Sequence, residues 1–223
     1  MVYFCAKLWS PRQRAPRSVS EGTGGASGRL LIHPPLFMNV VLPQFFISPG
    51  HNFFGRPRAP AGEHPTREVA TVVCRAGWGI EGDRFYGYRP GYKGQVTFFA
   101  ADVFEALKAE FRLPGISAGV LRRNVLIGGA DLTVLIGKKF SIGGVGFEGT
   151  GEARPCHWMN HAVAPGAEDW LKGRGGLRAR VLSDGELQIG AAELLFLDKS
   201  PQPIGAAGVI GKCAVELRLE SGV

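Results

Sequence analysis

The sequence predicts a mainly β fold with small inserted helices, closing or nearly closing into a β-barrel. Two observations carry this. Gly 33 and Pro 15 in 223 residues imply many turns between short strands. About seven apolar runs of strand length then follow one another at even spacing, with helical periodicity confined to short inserts.

The first convincing strand covers residues 39–48, with Pro43 marking an edge position or a bulge. A Pro-rich loop follows to Thr66. Residues 68–75 read as one alternating strand whose inner face takes Cys74. Residues 77–95 form a long Gly- and Tyr-containing loop, and loops of that length inside a compact domain are usually functional. A short strand at 96–99 leads into a helix opened by Asp102, with Glu105 as its capping-box partner and Val103, Phe104, Leu107 and Phe111 as its apolar stripe. After Arg122, Arg123 and Asn124 comes an apolar strand at 125–127, and then a helical turn at 131–136. Residues 138–147 read as one strand bent at its glycines. A short helix at 167–172 precedes strands at 177–182 and 187–197, which Asp184-Gly185 would join as a two-residue hairpin.

The organisation is one barrel domain over residues 38–199, a leader at 1–37 and a loose tail at 200–223. The leader is Ser/Gly-rich and lacks apolar periodicity, so it is expected to be disordered. Its basic, acid-poor composition suits an organelle transit peptide. It equally suits an extended start, the reading preferred here because Met38 directly precedes the first strand. That preference makes the expected location cytoplasmic. The leader's five cations and one carboxylate give it +4 of the chain's +7. The remaining +3 is no concentrated basic face, so nucleic acid is not an expected partner. No apolar run approaches the roughly 18 residues that span a membrane as a helix, and no membrane association is expected. Four distant cysteines, with no CxxC pair, argue against a disulfide framework.

The stretch 149–161, Gly-Thr-Gly-Glu-Ala-Arg-Pro-Cys-His-Trp-Met-Asn-His, puts Cys156 beside an arginine, a glutamate and two histidines. Pro155 disfavours helix for Arg154, so Cys156 is expected on a loop at a strand end. A neighbouring cation favours thiolate, the form that attacks sulfur or binds metal. The alternative is that Cys156 is one more small buried hydrophobe. A zinc site needs three convergent ligands at a recognisable spacing, for which Cys156, His157 and His161 are the candidates, and Pro155 argues against the helix that would align the histidines. A Cys/His hydrolase would need His51 or His64 as its base, with an oxyanion hole. A third reading is an anion-binding thiol site. Arg84, Arg122, Arg123, Arg154 and Arg178 all fall at loop or strand ends, and arginine recognises phosphate bidentately. Singly, each is a solvated surface charge; five flanking the longest loop and the cysteine loop point to an anion. Asp83, following Gly82 in a tight turn, is expected to bond its own backbone. Trp78 and Trp158 are expected in the core. Asn124 either donates to a ligand or ties a loop.

These residues carry a family resemblance. Ile47-Ser48-Pro49-Gly50-His51-Asn52-Phe53-Phe54-Gly55, Gly79-Ile80-Glu81-Gly82-Asp83-Arg84-Phe85, Gln95-Val96-Thr97-Phe98-Phe99, Arg123-Asn124-Val125 and Arg154-Pro155-Cys156 follow in order. The chain resembles MOSC-domain proteins, named for the C-terminal domain of molybdenum cofactor sulfurases, from about residue 38 to about 197. The resemblance implies a largely antiparallel β-barrel with a pocket at one end. It implies that Cys156 is the family's functional cysteine, the catalytic residue and the metal ligand. That thiol would ligate molybdenum in the bound pyranopterin cofactor (molybdopterin) or carry sulfur as a persulfide. Arg84, Arg123, Asn124, Arg154 and Arg178 are the implied cofactor-binding residues, with the cofactor's phosphate accounting for the arginines. The implied activity is molybdenum-dependent reduction of N-hydroxylated compounds with a partner reductase, or sulfur transfer from a donor protein. The alternative is a non-catalytic sulfur or cofactor carrier. An aminotransferase-like domain does not fit in this length, so pyridoxal phosphate is not an expected ligand. No iron–sulfur cysteine spacing is present.

Overall fold

In the computed structural model, residues 37–52 and 62–197 are described. The expected disordered leader and loose tail lie outside them, apart from Phe37, as do Cys5 and Cys213. Chain order runs β1 (Phe37–Ile47), β2 (Arg67–Val69), β3 (Thr71–Arg75), β4 (Gly79–Ile80), β5 (Val96–Ala100) and α1 (Ala101–Glu110). A 3-10 turn (Ala118–Leu121), β6 (Val125–Gly128), a second 3-10 turn (Leu132–Leu135), β7 (Lys139–Ile142) and β8 (Val145–Glu152) follow. The last elements are α2 (Trp158–Ala162), α3 (Ala167–Trp170), β9 (Leu177–Val181), β10 (Gly185–Gln188) and β11 (Gly190–Phe196).

Seven strands close a barrel in the order β1-β11-β7-β8-β9-β5-β6, and β6 returns to β1. Every pairing in the wall is antiparallel except β5 with β6. Parallel neighbours need a crossover, and α1 with the first 3-10 turn supplies it. β2 hangs on β1, while β3, β4 and β10 form a separate three-stranded sheet. Pro43 sits where the β1–β6 register shifts, between Val41 and Gln44, so the missing N–H falls at an irregularity as expected.

The interior is filled by alternate wall residues. Phe98, Phe140 and Phe147 pack edge to face or tilted, at centroid separations of 5.3 to 6.1 Å. Leu132 and Leu135 of the second 3-10 turn join this core. A second core lies on the outer face of β1, β5 and β6. There Phe46, Phe99 and Leu126 meet Phe104 and Leu107 of α1, Leu121, Met159 and Leu171. Each such side chain contributes about 1.5–3 kcal/mol on burial.

Several local expectations give way to tertiary structure. Residues 139–152 are a hairpin, not one bent strand: Gly143 and Gly144 have φ of 55° and 83°, the paired positive values of a type I′ turn. Asp184-Gly185 does not join paired strands, because β9 belongs to the barrel and β10 pairs only with β3. Asp184 instead accepts from the Ala76 N–H at 2.8 Å. The single strand expected at 68–75 breaks at Ala70, where the chain leaves the barrel edge for the small sheet. Asp102 is not the cap of α1. Strand β5 runs directly into the helix, Ala100 occupies the cap position, and Asp102 lies in the first turn facing the helix dipole. Glu105 pairs with Lys108 at 2.9 Å. Trp78 is 58% exposed rather than core. Among the described residues no helix is long and apolar enough to cross a membrane.

Candidate functional site

Strand β8 delivers the cysteine loop. Its register with β9 shifts between Gly149 and Gly151, and Gly151 has φ of 151°. The bulge ends regular pairing and turns the chain out of the wall. Residues 153–156 then run as an irregular segment ahead of α2, whose Met159 N–H bonds the Cys156 carbonyl at 2.8 Å. The helix begins only after Pro155 has been passed, closer to the proline than the sequence suggested. Cys156 is exposed, and its thiol is not the buried hydrophobe of the alternative reading.

The thiol lines a pocket of about 210 Å³ together with Arg84, Arg122, Arg123, Arg154 and Arg178. All five arginines singled out in the sequence therefore converge on the cysteine. The pocket does not sit at the end of the barrel. Leu177, Ala179 and Val181 point into the barrel core with Val96 and Phe98, so Arg178 and Thr97 project from the outer face. The register places these two opposite each other. The barrel end holds a different, larger cavity of about 670 Å³, bordered by Ala100, Leu132, Ile136, Glu152 and Arg174. It contains no cysteine.

Three arginines are built into the frame. Arg122 adopts left-handed φ of 55° after the first 3-10 turn, a conformation that costs a side-chain-bearing residue roughly 1–2 kcal/mol. Its guanidinium donates to the Gly50 carbonyl at 2.7 Å, Ser48 Oγ at 3.1 Å and the His64 carbonyl at 3.3 Å. Burial and the nearby Arg84 bring its pKa down to about 10. Arg123 staples two loops, donating to the carbonyls of Ala153 at 2.6 Å, Gly175 at 3.0 Å and Leu121 at 3.1 Å. Burial lowers its pKa to about 10, partly offset by attraction to Cys156 and then Glu152. Arg84 donates to the Arg122 carbonyl at 3.0 Å and faces Asp83 at 3.4 Å.

Asp83 is structural, as expected: it is buried and accepts from the N–H groups of Ser48 and Phe85, each at 3.2 Å. Asn124 lies under the pocket and does not line it. Its Oδ1 accepts from Thr97 N–H at 3.0 Å and Thr97 Oγ1 at 2.9 Å, and its Nδ2 donates to the Phe46 carbonyl at 3.2 Å. Of the two roles read from the sequence, the structure gives it the tie between strands.

His51, Phe85 and Tyr92 form the pocket's aromatic side. Phe85 meets His51 edge-on at 4.9 Å and Tyr92 at 5.1 Å. Burial, then Arg84 and Arg122, hold the His51 imidazole below its ordinary pKa. His51 is the residue the sequence offers as a hydrolase base, and Tyr92 carries no signal beyond its place in the long loop. The zinc alternative finds no support: among the described residues no three His, Cys, Asp or Glu side chains are placed to hold a metal. The His161 ring packs at a tilt against Trp158, with centroids 5.5 Å apart, and His157 approaches Glu168 at 3.9 Å.

The arrangement offers an accessible soft ligand beside concentrated positive charge and a flat aromatic wall. The MOSC domain family model matches residues 86–192. Among solved structures, the YuaD protein from Bacillus subtilis is similar at 18% identity with a TM-score of 0.56, covering 72% of this chain and 97% of that one. YiiM from Geobacillus stearothermophilus is similar at 16% identity and TM-score 0.53, covering 71% and 75%. YiiM from Escherichia coli is similar at 14% identity and TM-score 0.50, covering 74% and 72%. At these identities the likeness is one of fold. No curated protein matches the chain.

Proposed function

This chain belongs to the MOSC domain family, and from that premise we propose that its arginine-lined pocket binds the molybdenum cofactor with Cys156 as the metal's thiolate ligand. The observation that carries the proposal is the exposed Cys156 thiol in one pocket with five arginines.

The residues present fit the group chemically. Thiolate sulfur is a soft donor suited to molybdenum. Arginine guanidinium suits the cofactor's phosphate ester, and the ring of Tyr92 offers a flat face to a pterin. The enclosed space of about 210 Å³ is smaller than the roughly 300–1,000 Å³ usual for small-molecule sites, so a cofactor of this size extends past the mouth. When bound, the cofactor supplies two-electron chemistry at an oxygen- or nitrogen-containing substrate. The chain's own part is to hold and orient. Arg123 fixes the cysteine loop through the Ala153 carbonyl and keeps a positive charge near the thiol. Reduction of N-hydroxylated compounds, with electrons from a partner reductase, is the activity we assign to the loaded protein.

The test is the molybdenum and pterin content of protein purified from a cofactor-producing host, wild type beside Cys156→Ala. Near-stoichiometric molybdenum in the wild type, lost in the variant, supports metal ligation. Absence of molybdenum from both, with cyanide-labile sulfur on wild-type Cys156, replaces it with a sulfur-carrier role. The absence of both signals overturns the proposal and the carrier reading together.

A further inference from the structure

The cavity at the barrel end owes its shape to β5 and β6, the parallel neighbours of the wall. Both strands stop at this end, β5 at Ala100 and β6 at Gly128. The chain then leaves in two directions. α1 carries Phe104 and Leu107 to the second core, while the following 3-10 turn dips into the barrel mouth and buries Leu132 and Leu135 in the first. Diverging exits at the carboxyl ends of parallel strands leave a crevice, as at the switch points of open α/β sheets. Glu152 at the end of β8 and the loop carrying Arg174 close its remaining side. The volume of about 670 Å³ lies inside the roughly 300–1,000 Å³ usual for small-molecule sites.

This cavity is separate from the thiol pocket. Residues 152–154 and 174–176 run between the two, and the Ala153 N–H bonds the Gly176 carbonyl at 2.8 Å. The partition is tight: a Cβ on Gly175 would stand 2.5 Å from the Ala153 carbonyl oxygen. Ala153 and Arg154 face the thiol pocket, whereas Glu152 and Gly176 border the cavity.

The charge of the cavity is opposite to that of the chain. The whole chain carries +7, yet the cavity sets the carboxylates of Asp102, Asp131 and Glu152 against the one guanidinium of Arg174. Arg174 lies over the Trp170 ring, 4.3 Å from its centroid. Two of the carboxylates are positioned by backbone. Asp131 accepts from the Thr133 N–H at 2.9 Å and its hydroxyl at 2.7 Å. Glu152 is half-buried and accepts from the Gly175 N–H at 3.4 Å. Between them the lining is apolar, with Val103, Ala130 and Leu132 among its residues. Preset carboxylates beside apolar surface complement a cation attached to an apolar body.

We propose that the barrel-end cavity is a second ligand site, taking a small organic ammonium ion. Its apolar body lies against Val103, Ala130 and Leu132, and its ammonium group turns toward the carboxylates, Glu152 foremost. The site goes beyond the cofactor reading and does not rest on it.

The experiment is calorimetric titration of the full chain at pH 7.5 with biphenylmethylamine, neutral biphenylmethanol and anionic biphenylcarboxylate. The amine is expected to bind with a Kd of about 1 mM or tighter. It is expected to bind about tenfold better than either counterpart, the step for one charge-assisted hydrogen bond. Glu152→Gln is expected to lose about that factor of ten. Asp131→Asn, which keeps an acceptor for Thr133 but removes an exposed charge, is expected to lose about two- to fivefold. Glu105→Gln, on α1 away from the cavity, is expected to change nothing. Ala130→Phe fills the space and is expected to abolish binding. If Ala130→Phe melts early, hydrogen exchange of the wild type replaces it: the amine is expected to slow exchange in residues 129–133 and 173–176, around the cavity, and not in 84–92. Protein alkylated at Cys156 with iodoacetamide is expected to bind the amine unchanged. Wild-type protein that ignores the amine, or binds the alcohol or the carboxylate equally well, would overturn the proposal. So would equal losses in Glu105→Gln and Glu152→Gln, or full binding by a folded Ala130→Phe. Loss of binding on alkylation of Cys156, or protection confined to residues 84–92, would put the amine in the thiol pocket; the second site then falls while the cofactor reading stands.

Discussion

Asn124→Ala separates a structural tie from a ligand contact. Asn124 is 1% exposed and joins three strands: β6, which it immediately precedes, β5 through Thr97, and β1 through the Phe46 carbonyl. Truncation leaves the Thr97 N–H and the Phe46 carbonyl without these partners, in a place water reaches only by opening the structure. Each buried group so orphaned costs about 1–3 kcal/mol, which gives a loss of about 2–6 kcal/mol for the pair. Domains are stable by only about 5–15 kcal/mol in total, so the variant should unfold at a much lower urea concentration with an unchanged slope. Equilibrium urea unfolding followed by tryptophan fluorescence measures it. A change below about 0.5 kcal/mol, the ordinary surface range, would refute the reasoning. A stable variant that had lost molybdenum would restore Asn124 as a ligand residue.

Three further outcomes follow from packing and burial. At Gly149, an added Cβ would stand 2.0 Å from the Leu135 carbonyl oxygen, so Gly149→Ala should destabilise by about 3 kcal/mol or more, read as a fall in melting temperature; an unchanged melt would show that the second 3-10 turn is not held against β8. Burial pushes the Cys74 thiol up to about 12, so iodoacetamide at pH 8 should modify Cys156 in the native protein and Cys74 only in denaturant, with peptide mass mapping as the readout. Native labelling at Cys74 would contradict its place in the core. His51, held below its ordinary pKa, is protonated in the unfolded chain near pH 6.5 but in the folded chain only at lower pH. The unfolded state then binds more protons as pH falls through 6.5, and stability drops. The stability lost between pH 7.5 and 5.5 should be smaller in His51→Gln than in wild type; an equal loss would contradict the environment assigned to His51.

What could be read from the sequence was what local chemistry dictates. Pro155 ahead of Cys156 forces an irregular approach whatever lies around it, and the loop position follows; whether the thiol is exposed or buried does not, because that depends on what packs over the loop. Gly82-Asp83 turns on itself for similarly local reasons. The arginine convergence was legible only as a suspicion. Arg84, Arg123, Arg154 and Arg178 meet because β5 pairs parallel with β6 and antiparallel with β9, and those contacts have no local signature. The engagement of Arg122 and Arg123 in the frame was beyond the sequence, since it depends on carbonyls such as those of Gly50 and Gly175, contributed by distant loops. Asp184-Gly185 marks the opposite failure. Its turn chemistry is sound, but the strand that follows finds its partner in β3, and tertiary pairing overrides local preference. Asp102 missed its cap role because an adjoining strand carries extended backbone up to Ala100.

In the proposed function, Cys156 is the point at which this chain holds the cofactor. Mass-spectrometric labelling with iodoacetamide tests it most directly, comparing molybdenum-loaded protein with protein from a host unable to make the cofactor. Cys156 is expected to be labelled in the unloaded protein and protected in the loaded one, in proportion to molybdenum content. Full labelling of Cys156 in protein that retains its molybdenum would contradict it.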